Sequence, residues 1–348
     1  MNKRMYLWIT VEGLALVVLL LLASNAVAGD MAGPPGVYPE GNVALQSKSS
    51  WGSGWVTIAT DTCTVFNHNL ASDPDDYAVE LWFLDTDASG IGINRYGYGG
   101  LEVNGSWRGA YWQELTANTI KVCRNSDDIV ADRINIRVWI PSTSPDDYDS
   151  GWTSINPGQT ITFPHNLGIT ATDLTVSLWF SGTIRGIHHF GYGGLAVDGP
   201  QKMLGAHWHN LTDNTVQVTR HPDDTDVEQV RVVVVHGDPP DYDSLVAFGG
   251  WKSIAQGLAF PFPHNLNWSP DMLLVRGECY DPVAGGINQW FAGGNHDWLV
   301  GWQGASLQKL TRNTVEVYRQ VNDQVCPQFR VRIWKRQAMV YLPLVLKG

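Results

Sequence analysis

The chain is poor in charge. Charged residues make up 16% of its 348 residues, and Lys and Arg together number 23 against 34 Asp and Glu. A formal net charge of −11 repels phosphate backbones, so nucleic acid is not an expected partner. Cysteine is also scarce: the four are Cys63, Cys123, Cys279 and Cys326, and neither close pair has zinc-ligand spacing. No segment of the repeated region shows a helical apolar period. No G-x-S-x-G or H-E-x-x-H motif is present, which removes two common hydrolase chemistries. The long apolar run is N-terminal: Lys3 and Arg4, then Leu14 to Ala23, then Ala26-Val27-Ala28. That order is that of a secretory signal peptide over residues 1–28, the alternative being a membrane anchor interrupted by Glu12.

What the chain has in plenty is Gly (36) and Trp (16). Rigid amphipathic rings and tight turns suit an all-β binding protein. A repeat dominates. Trp51 to Leu70, Tyr148 to Leu167 and Tyr242 to Leu266 share Gly-Trp, a polar gap and x-His-Asn-Leu after an aromatic, and place His68, His165 and His264 at intervals of 97 and 99 residues. Self-similarity at a fixed period is the strongest guide to architecture. After a flexible leader, 29–50, the copies run 51–141, 148–237 and 242–336, and an apolar tail, 337–348, follows.

Each copy repeats one order of strands. In the first, Asp76 to Asp85, Gly92 to Gly100 (with a bulge), Gly109 to Leu115, Thr119 to Arg124 and Ile134 to Ile140 read as strands. In the last, Ile134, Ile136 and Val138 alternate with Asn135, Arg137 and Trp139, so one face buries aliphatics and the other points outward. Leu-Thr-x-Asn-Thr precedes the penultimate strand at 115–119, 211–215 and 310–314 and marks a turn. The expected fold is all-β: three tandem antiparallel β-sandwich domains of six to seven strands, which the short linkers would pack as an intrachain pseudo-trimer. A propeller competes, but its blades repeat at half this period. Cysteines occur two per copy or not at all, which favours pairing Cys63 with Cys123 and Cys279 with Cys326 in an oxidising compartment over four free thiols. The tail, Ala338 to Gly348, resembles the Tyr-Leu-Pro-Leu-Val ends of some secreted bacterial proteins and reads equally as an envelope attachment or a last packed strand.

Gly-Trp, the aromatic before His-Asn-Leu and the closing Arg-Val-x-Ile/Val strand resemble the H-type lectins, and related sandwiches resemble modules of phage tail fibres. The resemblance implies six-stranded sandwiches that bind N-acetylgalactosamine-like sugars. That family's sugar-contacting Trp-His pair sits in the hairpin before the final strand. Here no Trp matches it, and only His221 stands for its His.

Three constellations are candidate sites. The hairpin keeps Arg, an amide or acid at +3 and Asp at +4: Arg124, Asp127, Asp128; Arg220, Asp223, Asp224; Arg319, Asn322, Asp323. A fork of donors beside planar acceptors grips vicinal hydroxyls, or else it shapes a turn. The Gly-rich segment offers amides or imidazoles beside a ring: Asn94 and Tyr96, His188 and Phe190, Asn288 and Trp290, which bind a sugar or fill the core. In the second copy His188, His189, His207 and His209 are candidate zinc or copper ligands. His68, His165 and His264 read as fold-supporting. The leading expectation is a secreted, non-enzymatic carbohydrate-binding protein without a cofactor. Its partners would be glycans or cell-surface polysaccharide. The alternatives are a structural adhesion repeat protein without glycan binding and a metal-dependent hydrolase in copy two.

Overall fold

The computed structural model describes residues 50–141 and 147–336. The signal-peptide, leader and tail expectations and part of the first linker lie outside them, apart from Ser50. Among the described residues, no helix is long and apolar enough to cross a membrane.

In copy one the closing strand Arg133–Trp139 lies between Ala78–Leu84 and the short entry strands Ser50–Gly52 and Val56–Thr57, with Ile93–Asn94 beyond Ala78–Leu84. Thr62–Asn67, Thr119–Arg124 and Ala110–Gln113 form a second, three-stranded sheet. Leu101–Val103 and Ser106–Arg108 form a hairpin. Copies two and three repeat all three sheets, and among the described residues every pairing within these sheets is antiparallel. The repeated turn works as read: Thr116 Oγ1 accepts from Thr119 N at 2.9 Å, as do Thr212 and Thr311 from Thr215 and Thr314.

The expectation of three tandem sandwich domains is wrong. The sheets form a six-bladed, propeller-like arrangement of small antiparallel sheets within one compact unit. The sequence period hid this because each period of about 98 residues holds two unlike blades, the five-stranded and the three-stranded. The blades therefore do repeat at half the period, without resembling each other in sequence.

The physical reason lies on the outer face of the five-stranded sheets. In a free sandwich that face meets water. Here its residues are covered: Glu80 and Trp82 are each 2% exposed, and Asn135, Trp179, Glu278, Arg330 and Arg332 are also buried. They pack on neighbouring copies. Trp112 meets Trp179 edge-on at 5.6 Å. Arg137 donates to the Leu273 carbonyl at 3.3 Å, Arg332 to that of Leu174 at 2.9 Å, and Arg231 to that of Asp75. One apolar core runs through copies one and two without a break.

The Gly-rich segments join the ring rather than continuing as bulged strands. Gly191 N donates to Gly99 O at 2.8 Å, Phe291 N to Gly193 O at 2.7 Å, and Gly97 N to Gly293 O at 2.9 Å. The contacts run from copy one to two, two to three, and three back to one.

Both disulfides form within copies, but at different places. Cys63–Cys123 joins directly paired residues of adjacent strands. The matching pair in copy two is Thr160 and Thr219, whose hydroxyls share a hydrogen bond at 2.7 Å. Cys279–Cys326 stands where copy one has Phe83 and Ala131 and copy two has Phe180 and Val227, so it replaces core packing.

The Arg–Asp hairpin is a rivet of this fold. Arg220 Nε meets Asp224 Oδ2 at 2.8 Å, and its remaining donors reach the carbonyls of Ile155 and Asp224, both at 2.8 Å. Asp224 also accepts from Gly205 N and Val227 N, both at 2.8 Å. Arg124–Asp128 and Arg319–Asp323 do the same, with the carbonyls of Ile58 and Ile254 as the distant acceptors. Removing one member of a buried pair strands the other charge. Asp224→Ala is therefore expected to cost about 3–5 kcal/mol in urea unfolding, while Asp223→Ala, at an exposed position, costs under about 1 kcal/mol. Equal costs would remove the rivet assignment.

Candidate functional site

The predicted site residues separate into buried and exposed sets. Arg124, Asp128, Arg220, Asp224, Arg319 and Asp323 are spent on the rivets. Asn94 and Asn288 are fully buried and shape their own turns. Asn94 Oδ1 accepts from Tyr96 N and Asn288 Oδ1 from Trp290 N, both at 3.0 Å, and each amide donates to a carbonyl two residues back. His188 plays the same part, accepting from Phe190 N at 3.1 Å.

The rings at 96, 190 and 290 bridge copies. Tyr96 of copy one lies 6.3 Å from Trp302 of copy three. Phe190 of copy two lies 4.9 Å from Tyr111 of copy one, and the Arg185 guanidinium lies over the Phe190 ring, 4.0 Å from its centre. Trp290 of copy three stacks on His207 of copy two at 4.7 Å and 6°. Burial pushes the Tyr96 hydroxyl well above its usual range.

What remains outward is Asp127, Asp223 and Asn322. Each is tied to the second strand of the small hairpin. Trp107 N donates to Asp127 Oδ2 at 3.1 Å, Met203 N to Asp223 Oδ2 at 3.0 Å, and Trp302 N to Asn322 Oδ1 at 3.3 Å. Return bonds run from Asp127 N, Asp223 N and Asn322 N to the carbonyls of the same three residues. In copies one and three, therefore, a half-buried indole is held beside an acid or amide at the rim. Around Trp302 stand Tyr96 and His296, the latter 5.1 Å away and edge-on. His296 Nδ1 reaches Asp198 Oδ2 at 2.8 Å.

Sequence reasoning missed Trp107 and Trp302 because it missed the hairpin. A signal was there: Asn104-Gly105 between Leu-Glu-Val and Ser-Trp-Arg is a strong short-range turn signature, and both residues have positive φ, 51° and 86°.

The four histidines considered as metal ligands do not form one shell. His188 faces its own turn. His189 Nδ1 shares a hydrogen bond with Tyr98 OH at 2.7 Å. His207 and His209 do share a face, with ring centres 5.2 Å apart, but the near partner of His207 is His221, at 3.2 Å from Nδ1 to Nε2. His209 is bonded to Thr219 at 3.0 Å. Among the described residues, the cluster of potential metal ligands compact enough for an ion is three aspartates, Asp85, Asp87 and Asp132. Its carboxylates already accept backbone amides: Asp85 from Asp87 N and Ile91 N, and Asp132 from Thr86 N.

His68, His165 and His264 each accept, at Nδ1, the amide of the Leu two residues on, at 3.3–3.4 Å. Their rings sit near aromatics of the copy-entry strands, Trp51, Tyr148 and Tyr242. Among the described residues no hydroxyl or thiol is hydrogen-bonded to these rings, whose Nε2 atoms are buried without a partner, and the geometry is that of a fold support.

The comparisons with known proteins assign nothing further: no family model matches the chain, nor does any curated protein or solved structure.

The buried imidazoles make stability depend on pH. Burial lowers the pKa of His188 and His221 to about 4, and lowers His68, His165, His189, His207, His209 and His264 as well. A group with a depressed folded pKa contributes fully above its unfolded value near 6.5 and loses that contribution as pH falls toward the folded value. Between pH 6.5 and 5, His188 and His221 should each withdraw roughly 2 kcal/mol. Urea midpoints measured from pH 7 to 5 should fall steeply. His221→Gln, which installs the residue found at the matching position of copy three, Gln320, should flatten the slope. A slope unchanged by that variant would sink the assignment.

Proposed function

We propose that this is a secreted, non-enzymatic glycan-binding protein. Its sugar sites are the rims at Trp107 with Asp127 and at Trp302 with Asn322. The observation that carries the reading is the repeated placement of a half-buried indole beside a backbone-anchored acid or amide. A sugar offers a C–H face that packs on a ring and hydroxyls that need polar partners at its edge. The short motifs shared with H-type lectins point to the same class, but the sandwich that likeness implies is not the fold found, and its hairpin motif falls on the rivets. Copy two has Met203 where the others have Trp, so two of the three rims carry the ring. Two weak sites on one ring gain strength on a multivalent surface, because the second contact is intramolecular.

Export fits the two disulfides, which persist in oxidising compartments, and the N-terminal sequence. Cell-surface polysaccharide is the natural partner for such a protein, and the tail would serve attachment.

A glycan array probed with the mature chain tests this. Trp107→Ala and Trp302→Ala should each weaken binding of the same glycans by about tenfold, or about 1.4 kcal/mol, and the double variant should abolish it with unchanged urea unfolding. Met203→Trp should strengthen it. A wild-type chain that binds no glycan would instead support a structural spacer or adhesion role, and binding indifferent to both tryptophans would relocate the site.

A further inference from the structure

The equivalence of the three copies breaks near the centre of the ring. At the first seam the Tyr98 hydroxyl meets His189 and accepts from Trp112 Nε1 at 3.2 Å. At the second, Tyr192 OH donates to Gln289 Oε1, which also accepts from Trp208 Nε1 at 3.1 Å. Register fixes the matching residues of the third seam. The backbone amides of His189, Gln289 and Arg95 donate to the carbonyls of Trp112, Trp208 and Leu307. Tyr98, Tyr192 and Ala292 bridge Ala110, Ala206 and Ala305. The third seam therefore holds Ala where the others hold Tyr, Leu where they hold Trp, and Arg where they hold His or Gln.

A phenol and an indole are missing there, and a cavity of about 70 Å³ opens, lined in part by Ala292, Leu307 and Arg95. One water needs roughly 10–15 Å³ on this measure, so the space takes a few waters or one small molecule. It is far below the roughly 300–1,000 Å³ of a drug-sized site.

Its charge is unbalanced. Arg276, matching Glu80 and Ser177 of the other copies, lines the cavity and has no hydrogen bond or ion pair among the described residues. Arg95 gives one nitrogen to Glu80 at 3.0 Å, while its buried Nε has no partner. Glu80 is already shared with Arg137 at 3.3 Å and Arg336 at 3.7 Å. One carboxylate thus serves three guanidiniums while a fourth, the half-buried Arg276, has none, and a charge drawn partly out of water without a partner is costly. Of the remaining wall, the polar groups of Tyr98, Tyr192 and Gln289 are already hydrogen-bonded to other side chains, and Val79, Ala305 and Phe329 give it an apolar side. A phosphate wants donors on every side. A carboxylate with a short hydrocarbon end wants them on one side only, and guanidinium suits its paired oxygens.

We propose that this cavity binds a small monocarboxylate. Its oxygens sit on Arg95 and Arg276, and its apolar end lies against Ala292 and Leu307. The site is separate from the rim sites and stands whether or not these bind glycans.

Calorimetric titration and thermal melts of the mature chain with acetate, propionate, benzoate, benzamide and inorganic phosphate test it. At least one acid should bind one to one and raise the melting temperature, with benzamide and phosphate at least tenfold weaker. Arg276→Gln should weaken that acid at least tenfold. Ala292→Tyr, which restores the ring present at the other two seams, should abolish binding while keeping or raising the melting temperature. Should Ala292→Tyr misfold, the Arg276→Gln comparison decides. No binding of any acid, equal binding of phosphate or benzamide, or affinity indifferent to Arg276→Gln would overturn the proposal.

Discussion

The ring depends on how closely three backbones approach one another at its centre. Gly99, Gly193 and Gly293 each accept an amide of the neighbouring copy, and each has positive φ. A Cβ at Gly99 would lie 2.8 Å from Tyr192 N, one at Gly193 2.8 Å from Ala292 N, and one at Gly293 2.8 Å from Arg95 O. No side chain fits in those gaps, so any other residue would push two copies apart and break the bond between them. Because the contacts close into a cycle, a wedge at one seam is felt at the other two. That makes the three glycines a single constraint.

Closing the ring fixes what the sheets can carry. A sheet with one wet face tolerates any polar residue there, but a sheet covered on both faces needs every buried charge matched. The seams accordingly hold Arg137 and Arg95 on Glu80, Arg330 and Arg332 on Glu278, and the guanidinium-to-carbonyl bonds between copies. Aromatic rings fill the rest. This is why a chain with little charge overall places so much of it inside.

Much of this was legible in the sequence, and the part that was not has one cause. Period-two alternation in Arg133–Trp139 identified the strand and its aliphatic face, the repeated threonine turn placed the penultimate strand, and counting cysteines gave both bridges. Alternation says nothing about what covers the second face, so Asn135, Arg137 and Trp139 read as outward when Asn135 is buried and Arg137 and Trp139 meet copy three. The same blindness made the Gly-rich segment look like a bulged strand, since close approach by a distant backbone leaves the same glycine signature as a local bulge. The Arg-x-x-Asp-Asp hairpin drew functional attention for its donors and acceptors. It turned out to spend them on Ile58, Ile155 and Ile254, whose carbonyls lie about 65 residues earlier in the chain.

Triplication also explains where specificity can reside. The rivets, threonine turns and axial glycines recur in all three copies because each is needed to build a blade or close a seam. Side chains that serve neither purpose differ: Trp, Met and Trp at the rims, Tyr, Tyr and Ala near the axis, a disulfide in copies one and three but at unlike positions. Copy three has lost the most ordinary core, with Gly277 where the others have Leu81 and Leu178, and Phe329 turned into that space. It is also the copy whose bridge replaces packing rather than pinning two strands. A covalent link that restricts the unfolded chain offsets lost apolar contact, which lets copy three keep an open, cationic seam that a fully packed blade would close.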